Sequence, residues 1–167
     1  MSFKMAPWNC FVVFATWIVA SSVLYVTVSA FYRFLLSAGS SDFSDVFVMF
    51  IVLLLFLAFY IVGPRGYEIN SKGVIIKRLV KDICIPRKNV YSVEILKNVK
   101  LIRTVGNGGL FGYYGTYMDT DGSTVKVYAT RFDCMVRLKT EDIVYYFSPK
   151  EPEVFMQAIE ELIKETG

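Results

Sequence analysis

Residues 5–32 contain no charged side chain, an apolar run of 28 residues, and roughly 20 such residues in a helix already cross the hydrocarbon core of a bilayer. A second uncharged run covers residues 46–64 and stops at Gly63-Pro64-Arg65-Gly66, where proline and glycine end a helix. The connection between them, residues 37–45, is too short to join anything but antiparallel neighbours. Residues 1–65 are therefore expected to form a transmembrane helical hairpin with spans at about 6–32 and 46–64.

Composition draws the same boundary. The chain is 54% hydrophobic and 20% charged, more apolar than an ordinary soluble domain. Its first 66 residues carry only Lys4, Arg33, Asp42, Asp45 and Arg65 as charged side chains, and the other 28 lie in residues 67–167. About one hundred residues with ordinary charge are enough for a single core. Disorder, a coiled coil and a multi-domain enzyme are excluded.

Lys4 precedes the first run, and Arg65, Lys72, Lys77, Arg78 and Lys81 follow the second, against Arg33 alone beside the connection. The positive-inside rule then places both termini in the cytoplasm of a multi-pass cell-membrane protein. A cleaved signal peptide fits poorly, because its apolar region is usually ~7–15 residues, and even cleavage would leave the C-terminal domain cytoplasmic. No ionisable residue falls inside either hydrocarbon stretch, which argues against an ion or proton pathway. Of Trp8, Trp17, Tyr25, Tyr32 and Tyr60, those near the run ends read as interfacial anchors. The small residues Ala20-Ser21-Ser22 and Ser29-Ala30 suit helix association.

Catalysis finds little support. The chain has no histidine, and Cys10, Cys84 and Cys134 are scattered without a Cys-x-x-Cys pair; the simplest reading is three small buried hydrophobes in a reducing compartment. The pairs Asp119/Asp121 and Glu141/Asp142 fall in expected hairpin turns, where acidic residues serve the backbone. Ser148-Pro149 is a helix entry with no histidine to activate the hydroxyl. No enzyme activity, metal or cofactor is expected.

After Gly66 the pattern alternates in short segments bounded by turn residues, as antiparallel strands do. Strands are expected at 67–70, 74–79, 82–85, 90–96, 114–119 and 125–130, then around Val136 to Lys139 and at 143–148; Asp121-Gly122 makes a hairpin turn. Val154, Phe155, Ala158, Ile159, Leu162 and Ile163 then form one helical stripe, with Pro152 in the first turn, predicting a helix over 151–165. The plan is α+β: about seven strands in a barrel-like sheet covered by one amphipathic helix.

Three stretches in this order carry a resemblance: Arg103 through Gly115, Val127-Tyr128-Ala129-Thr130, and Phe147-Ser148-Pro149-Lys150-Glu151-Pro152-Glu153-Val154-Phe155. Residues 66–165 resemble the bacterial pleckstrin-homology-like domain family, in the branch that follows a membrane hairpin. The resemblance implies two packed antiparallel sheets of seven strands, a C-terminal helix capping one open end, and a binding or assembly role without catalysis. The expected fold class is thus two transmembrane helices followed by a PH-like seven-stranded barrel or sandwich, with domains at 1–65 and 66–167.

Two features are candidate sites. Residues 72–103 hold nine basic and two acidic side chains, a local excess of +7 against +3 for the whole chain; Lys72, Lys77, Arg78, Lys81, Arg87 and Lys88 are the candidate contacts for anionic lipid headgroups at an adjacent leaflet, and a solvated face without a ligand accounts for the same charges. In lipid-binding members of the wider superfamily, a lysine in the first hairpin and spaced basic residues on the next strand hold an inositol phosphate. Lys72 matches the turn position, but Lys77 and Arg78 are adjacent and point to opposite faces.

The glycine-rich segment, with Gly106, Gly108, Gly109, Leu110, Phe111, Gly112, Tyr113 and Tyr114, lacks the Gly-Lys-Ser/Thr and following helix of a phosphate loop. It reads as turns with aromatics tucked against the sheet, or as a docking loop for a partner or the bilayer. The sequence thus predicts a membrane-anchored, non-enzymatic module for self-association or for a membrane-protein partner, with anionic-lipid sensing as the alternative and no nucleic-acid partner.

Overall fold

The computed structural model describes residues 1–36 and 43–164; residues 37–42 of the expected connection and 165–167 at the C-terminus lie outside the described residues. The chain begins with a short strand, β1 (Ser2–Lys4), followed by helices α1 (Cys10–Leu36) and α2 (Phe43–Val62). Nine strands then follow: β2 (Gly66–Asn70), β3 (Gly73–Lys77), β4 (Ile83–Pro86), β5 (Val90–Lys97), β6 (Ile102–Gly108), β7 (Tyr113–Met118), β8 (Thr124–Ala129), β9 (Cys134–Thr140) and β10 (Val144–Phe147). Helix α3 (Pro152–Lys164) closes the fold.

Asn9 starts α1 as an N-cap, its Oδ1 accepting the Val12 N–H at 2.8 Å. Large apolar side chains then face outward along both α1 and α2, among them Phe14, Trp17, Leu24, Phe47 and Leu54, while Val12, Thr16 and Ala30 of α1 are buried. Three hydroxyls within α1 bond to their own helix: Ser22 to the Ile18 carbonyl, Thr27 to Val23 and Ser29 to Val26. Among the described residues one helix is long and apolar enough to cross a membrane, Cys10–Arg33. The uncharged part of α2, Val46–Val62, is about 25 Å long at 1.5 Å per residue. Helix α2 ends at Val62, ahead of Gly63 and Pro64, so the two spans expected at 6–32 and 46–64 are corrected to one helix of spanning length and one shorter apolar helix.

The strands form two sheets, one ordered β1-β2-β3-β4 and one ordered β5-β9-β10-β8-β7-β6. Three details differ from the expected seven antiparallel strands. Residues 102–108 are a strand rather than part of a loop, β1 joins the first sheet by pairing Ser2 with Glu68 and Lys4 with Gly66, and β10 runs parallel to β8 with Phe147 opposite Tyr128. Because strand neighbours alternate faces, Val136, Leu138 and Phe147 point to one side of the larger sheet and Met135 and Tyr146 to the other.

Two cores result. The first packs both sheets against α3 through Tyr67, Ile76, Leu138, Phe147, Phe155 and Ile159. The second lies on the opposite side of the larger sheet, around Tyr117, Val125, Val127, Met135 and Tyr146, and it takes in Val12 of α1, which is completely buried. Full burial of one valine contributes roughly 1.5–3 kcal/mol. Main-chain bonds fasten the N-terminal segment to the domain, with Ala6 N–H donating to Ser148 at 2.8 Å and Lys150 N–H donating to Lys4 at 2.9 Å.

Candidate functional site

The glycine-rich segment lies where the helices meet the domain. Gly106 and Gly115 face each other across β6 and β7. Both hold positive φ (138° and 129°), and a Cβ on either would come within 2.5 Å of the opposite backbone, so only glycine lets these strands approach. Between the strands, Asn107 Oδ1 accepts the Leu110 N–H at 3.0 Å, its amide nitrogen donates to the Leu110 carbonyl, and Gly109 N–H donates to Gly112 at 3.1 Å. These bonds tie residues 107–112 into a compact turn.

That turn is filled by the chain's own helices. A Cβ on Gly109 would lie 2.8 Å from the Phe11 ring. The Phe111 ring stands against Trp8, Phe56 and Tyr60 at centroid distances of 6.3, 5.2 and 5.3 Å, and its N–H donates to Thr16 Oγ1 at 3.2 Å. Phe111 holds φ 60°, a conformation that costs a non-glycine residue about 1–3 kcal/mol unless its surroundings impose it. Tyr113 accepts a bond from Asn9 Nδ2 at 3.1 Å, and Tyr114 donates to the Phe59 carbonyl in the last turn of α2 at 2.7 Å. Gly109, Phe111, Tyr113 and Tyr114 thus form an internal seat for both helices, and Gly106, Gly108, Leu110 and Gly112 build the turn that presents them. The residues at the ends of α1 and α2 that complete it, Asn9, Val12 and Thr16 above all, carry no motif; the N-cap position of Asn9 is the one local signal.

Polar groups beneath the seat are satisfied. Burial pushes the phenols of Tyr117 and Tyr146 up to about 12; Tyr117 donates to the Asn107 carbonyl at 2.6 Å and Tyr146 to Asp119 at 2.5 Å. Burial also raises Tyr67, whose hydroxyl donates to Tyr128 and accepts from Ser148 N–H. Ser148 Oγ accepts the Thr130 N–H at 2.7 Å, and Thr130 Oγ1 donates to the Ala6 carbonyl at 2.8 Å. This buried network joins the N-terminus, β8 and the entry to α3.

The basic candidates separate into two groups at opposite ends of the β2–β3 hairpin. Lys77 pairs across the sheet from Gly66, right after α2, while Gly73 pairs with Pro86 at the other end. Lys77, Arg78 and Lys81 therefore belong to the end of the hairpin that follows α2. Lys72, Arg87 and Lys88 lie about 13 Å away along the strand, at roughly 3.3 Å per residue. A single face containing all six is not formed.

Within the near group, Lys77 bridges Glu68 and Asp82, each at 3.0 Å, and Arg78 lies 5.6 Å from the Tyr128 ring centroid. Bonds from the Arg78 N–H and then from Lys77 hold the Asp82 carboxyl below the usual range. Glu68 and Asp82 raise the Lys77 amine in turn. Leu79 and Val80, at the tip of this loop, are 54% and 77% exposed.

The remaining chemical candidates are accounted for locally. Asp119 and Asp121 accept bonds from Thr120 and Ser123 within their turn. Cys10 and Cys84 are exposed and Cys134 is half-buried, which corrects their reading as buried hydrophobes; Cys10 lies on the outer surface of α1, and Cys84 on the outward side of β4. Among the described residues no three metal-ligating side chains converge.

Residues 65–163, more than half of the chain, match the family model described as a bacterial PH domain. The chain belongs to the bacterial PH domain family. The PH domain so defined begins at Arg65, directly after α2, and ends within α3, so β1, α1 and α2 lie outside the matched region while the glycine-rich turn they pack on lies inside it. Val12 thus enters the second core of the PH domain from a segment outside the family match. No curated protein and no solved structure matches the chain.

Proposed function

We propose that this PH domain is a membrane-anchored, non-enzymatic module for assembly, held by its helical hairpin at the cytoplasmic face of a membrane. The observation that carries the reading is the double attachment of the N-terminus: β1 is a strand of the domain's own sheet, and Val12 is buried in its second core. Helices that leave and return to one folded unit cross a bilayer an even number of times, so both termini lie on one side. The basic residues next to the helix ends favour the cytoplasmic side.

With the glycine-rich turn occupied internally, the surface we assign to assembly is the outer edge of β6, one of four edge strands in the two sheets. This strand is last in its sheet and, among the described residues, pairs only with β7; its Ile102 and Val105 are 63% and 69% exposed. An apolar strand edge with unpaired main-chain groups is a template for another strand. Light scattering on the full-length protein in detergent tests this. A discrete oligomer that persists at high salt and falls to a monomer in the Ile102→Lys, Val105→Lys double variant is expected. A monomer at every concentration, or an oligomer indifferent to both substitutions, would overturn it.

A second reading rests on the near basic group. Leu79 and Val80, flanked by Arg78 and Lys81 at the hairpin end that follows α2, suit the boundary of an anionic leaflet. A Val80→Cys chain carrying an environment-sensitive fluorophore should report a less polar site in phosphatidylglycerol vesicles than in phosphatidylcholine vesicles. Equal emission in both would exclude it.

A further inference from the structure

We infer that the junction of the N-terminal segment, the end of α2 and the glycine-rich turn is a binding site for the headgroup of an anionic glycerophospholipid. A groove of about 540 Å³ opens there, lined among others by Lys4, Trp8, Tyr60, Pro64, Arg65 and Phe111. That volume falls within the range of ordinary ligand sites. The inference rests on the membrane reading given above, because the groove lies at the level where α1 begins and α2 ends.

Three features select the ligand. The lining contains two cations, Lys4 and Arg65, and no acidic residue; among the described residues neither cation is in an ion pair, whereas Lys77 nearby already holds Glu68 and Asp82. The Arg65 guanidinium lies 4.4 Å from the Tyr60 ring centroid, an arrangement that orients its donor fork without neutralising it. Trp8 and Tyr60 are 45% and 41% exposed, amphipathic rings of the kind that sit at headgroup depth. Phe11 and Phe14, on the first turns of α1 that follow Trp8, are exposed and offer apolar surface for acyl chains. A phosphate bearing two hydrocarbon chains satisfies the cations and this apolar surface together, which a soluble anion does not.

Backbone placement makes this a composite site. Lys4 is held by β1, whose register on β2 sets it opposite Gly66, one residue from Arg65. The two cations come from segments sixty residues apart in the chain and meet only when the N-terminus is docked on the domain. A lipid bound here would bridge the N-terminal strand, the second helix and the PH domain.

Native mass spectrometry of the full-length protein in detergent, offered phosphatidylglycerol or phosphatidylcholine, tests the site. The wild-type chain should retain one phosphatidylglycerol with a preference of roughly thirtyfold, the scale set by two cations near one anionic group. Lys4→Gln with Arg65→Gln should abolish that preference, and Lys4→Arg with Arg65→Lys should keep it, which separates charge from a folding defect. Equal retention of both lipids by the wild-type chain, or an unchanged preference in the glutamine variant, would overturn the site. Alkaline carbonate extraction of the source membranes distinguishes the two failures. A chain retained in the membrane without lipid preference sinks the groove alone, and a chain released by carbonate sinks the membrane reading and the groove with it.

Discussion

Phe111 concentrates the argument at the scale of single residues. Its positive φ is unfavourable for an aromatic residue, and what imposes it is the contact of its ring with Trp8, Phe56 and Tyr60 and of its N–H with Thr16. Phe111→Ala should lower the thermal stability of the full-length protein in detergent by about 3–5 kcal/mol, the usual cost of emptying a packed aromatic site. Phe111→Tyr should be close to neutral. A second prediction concerns Asp82, whose carboxyl is held low by the Arg78 N–H and Lys77. A depressed pKa stabilises the fold above the ordinary carboxylate range, and the contribution fades as pH falls through the lowered value. In an NMR titration the Arg78 amide proton should therefore shift with a midpoint below that of an unperturbed aspartate, and Asp82→Asn should remove the transition.

At the scale of elements, Val12 and β1 are the parts that turn a helix and a domain into one body. Val12→Ala should cost roughly 1–3 kcal/mol, although it lies on the first helix and outside the matched domain; urea unfolding followed at the PH domain's tyrosines measures it. Removing residues 1–6 should destabilise the domain further, by opening the main-chain bonds to Ser148 and Lys150 and leaving Thr130 Oγ1 without its Ala6 acceptor.

The two helices, the β2–β3 hairpin, the Asp121-Gly122 turn and α3 were legible because each rests on a local signal: an uncharged run, a turn dipeptide, or an apolar stripe of helical spacing. β6 was not, because Gly106 and Gly108 erase the alternation of a strand and need Gly115 opposite them to make sense. β1 is three residues long and owes its existence to the edge of β2, which lies sixty residues downstream. The seat was visible only as a cluster of glycines and aromatics, and what fills it was hidden because its other half sits at the ends of the apolar helices. Likewise the basic run 72–103 is continuous in sequence but folded into a hairpin, which carries Lys77 and Lys72 to opposite ends.

For the whole molecule, the arrangement describes a PH domain whose apolar N-terminal helices are part of its packed structure rather than a tether. The N-terminal strand, the first turn of α1 and the last turn of α2 all pack on it, so the domain is fixed in orientation at the helix ends, with the β6 edge and the groove at Lys4 and Arg65 presented in set directions. A domain expressed from residue 66 onward should accordingly be less stable than the same domain in the full chain, with the apolar wall of its second core exposed where Val12 belongs. The central claim is that both ends of the chain meet on the cytoplasmic side of one membrane. It is tested most directly by labelling single cysteines with a membrane-impermeant maleimide, after Cys10, Cys84 and Cys134 are changed to serine, at Ser2 beside the first sheet and at Ser123 in the exposed β7–β8 turn. Both sites should be protected in intact cells and both should react once the membrane is opened. Labelling of one site and protection of the other in intact cells would contradict the shared side, and with it the paired N-terminal strand on which the account stands.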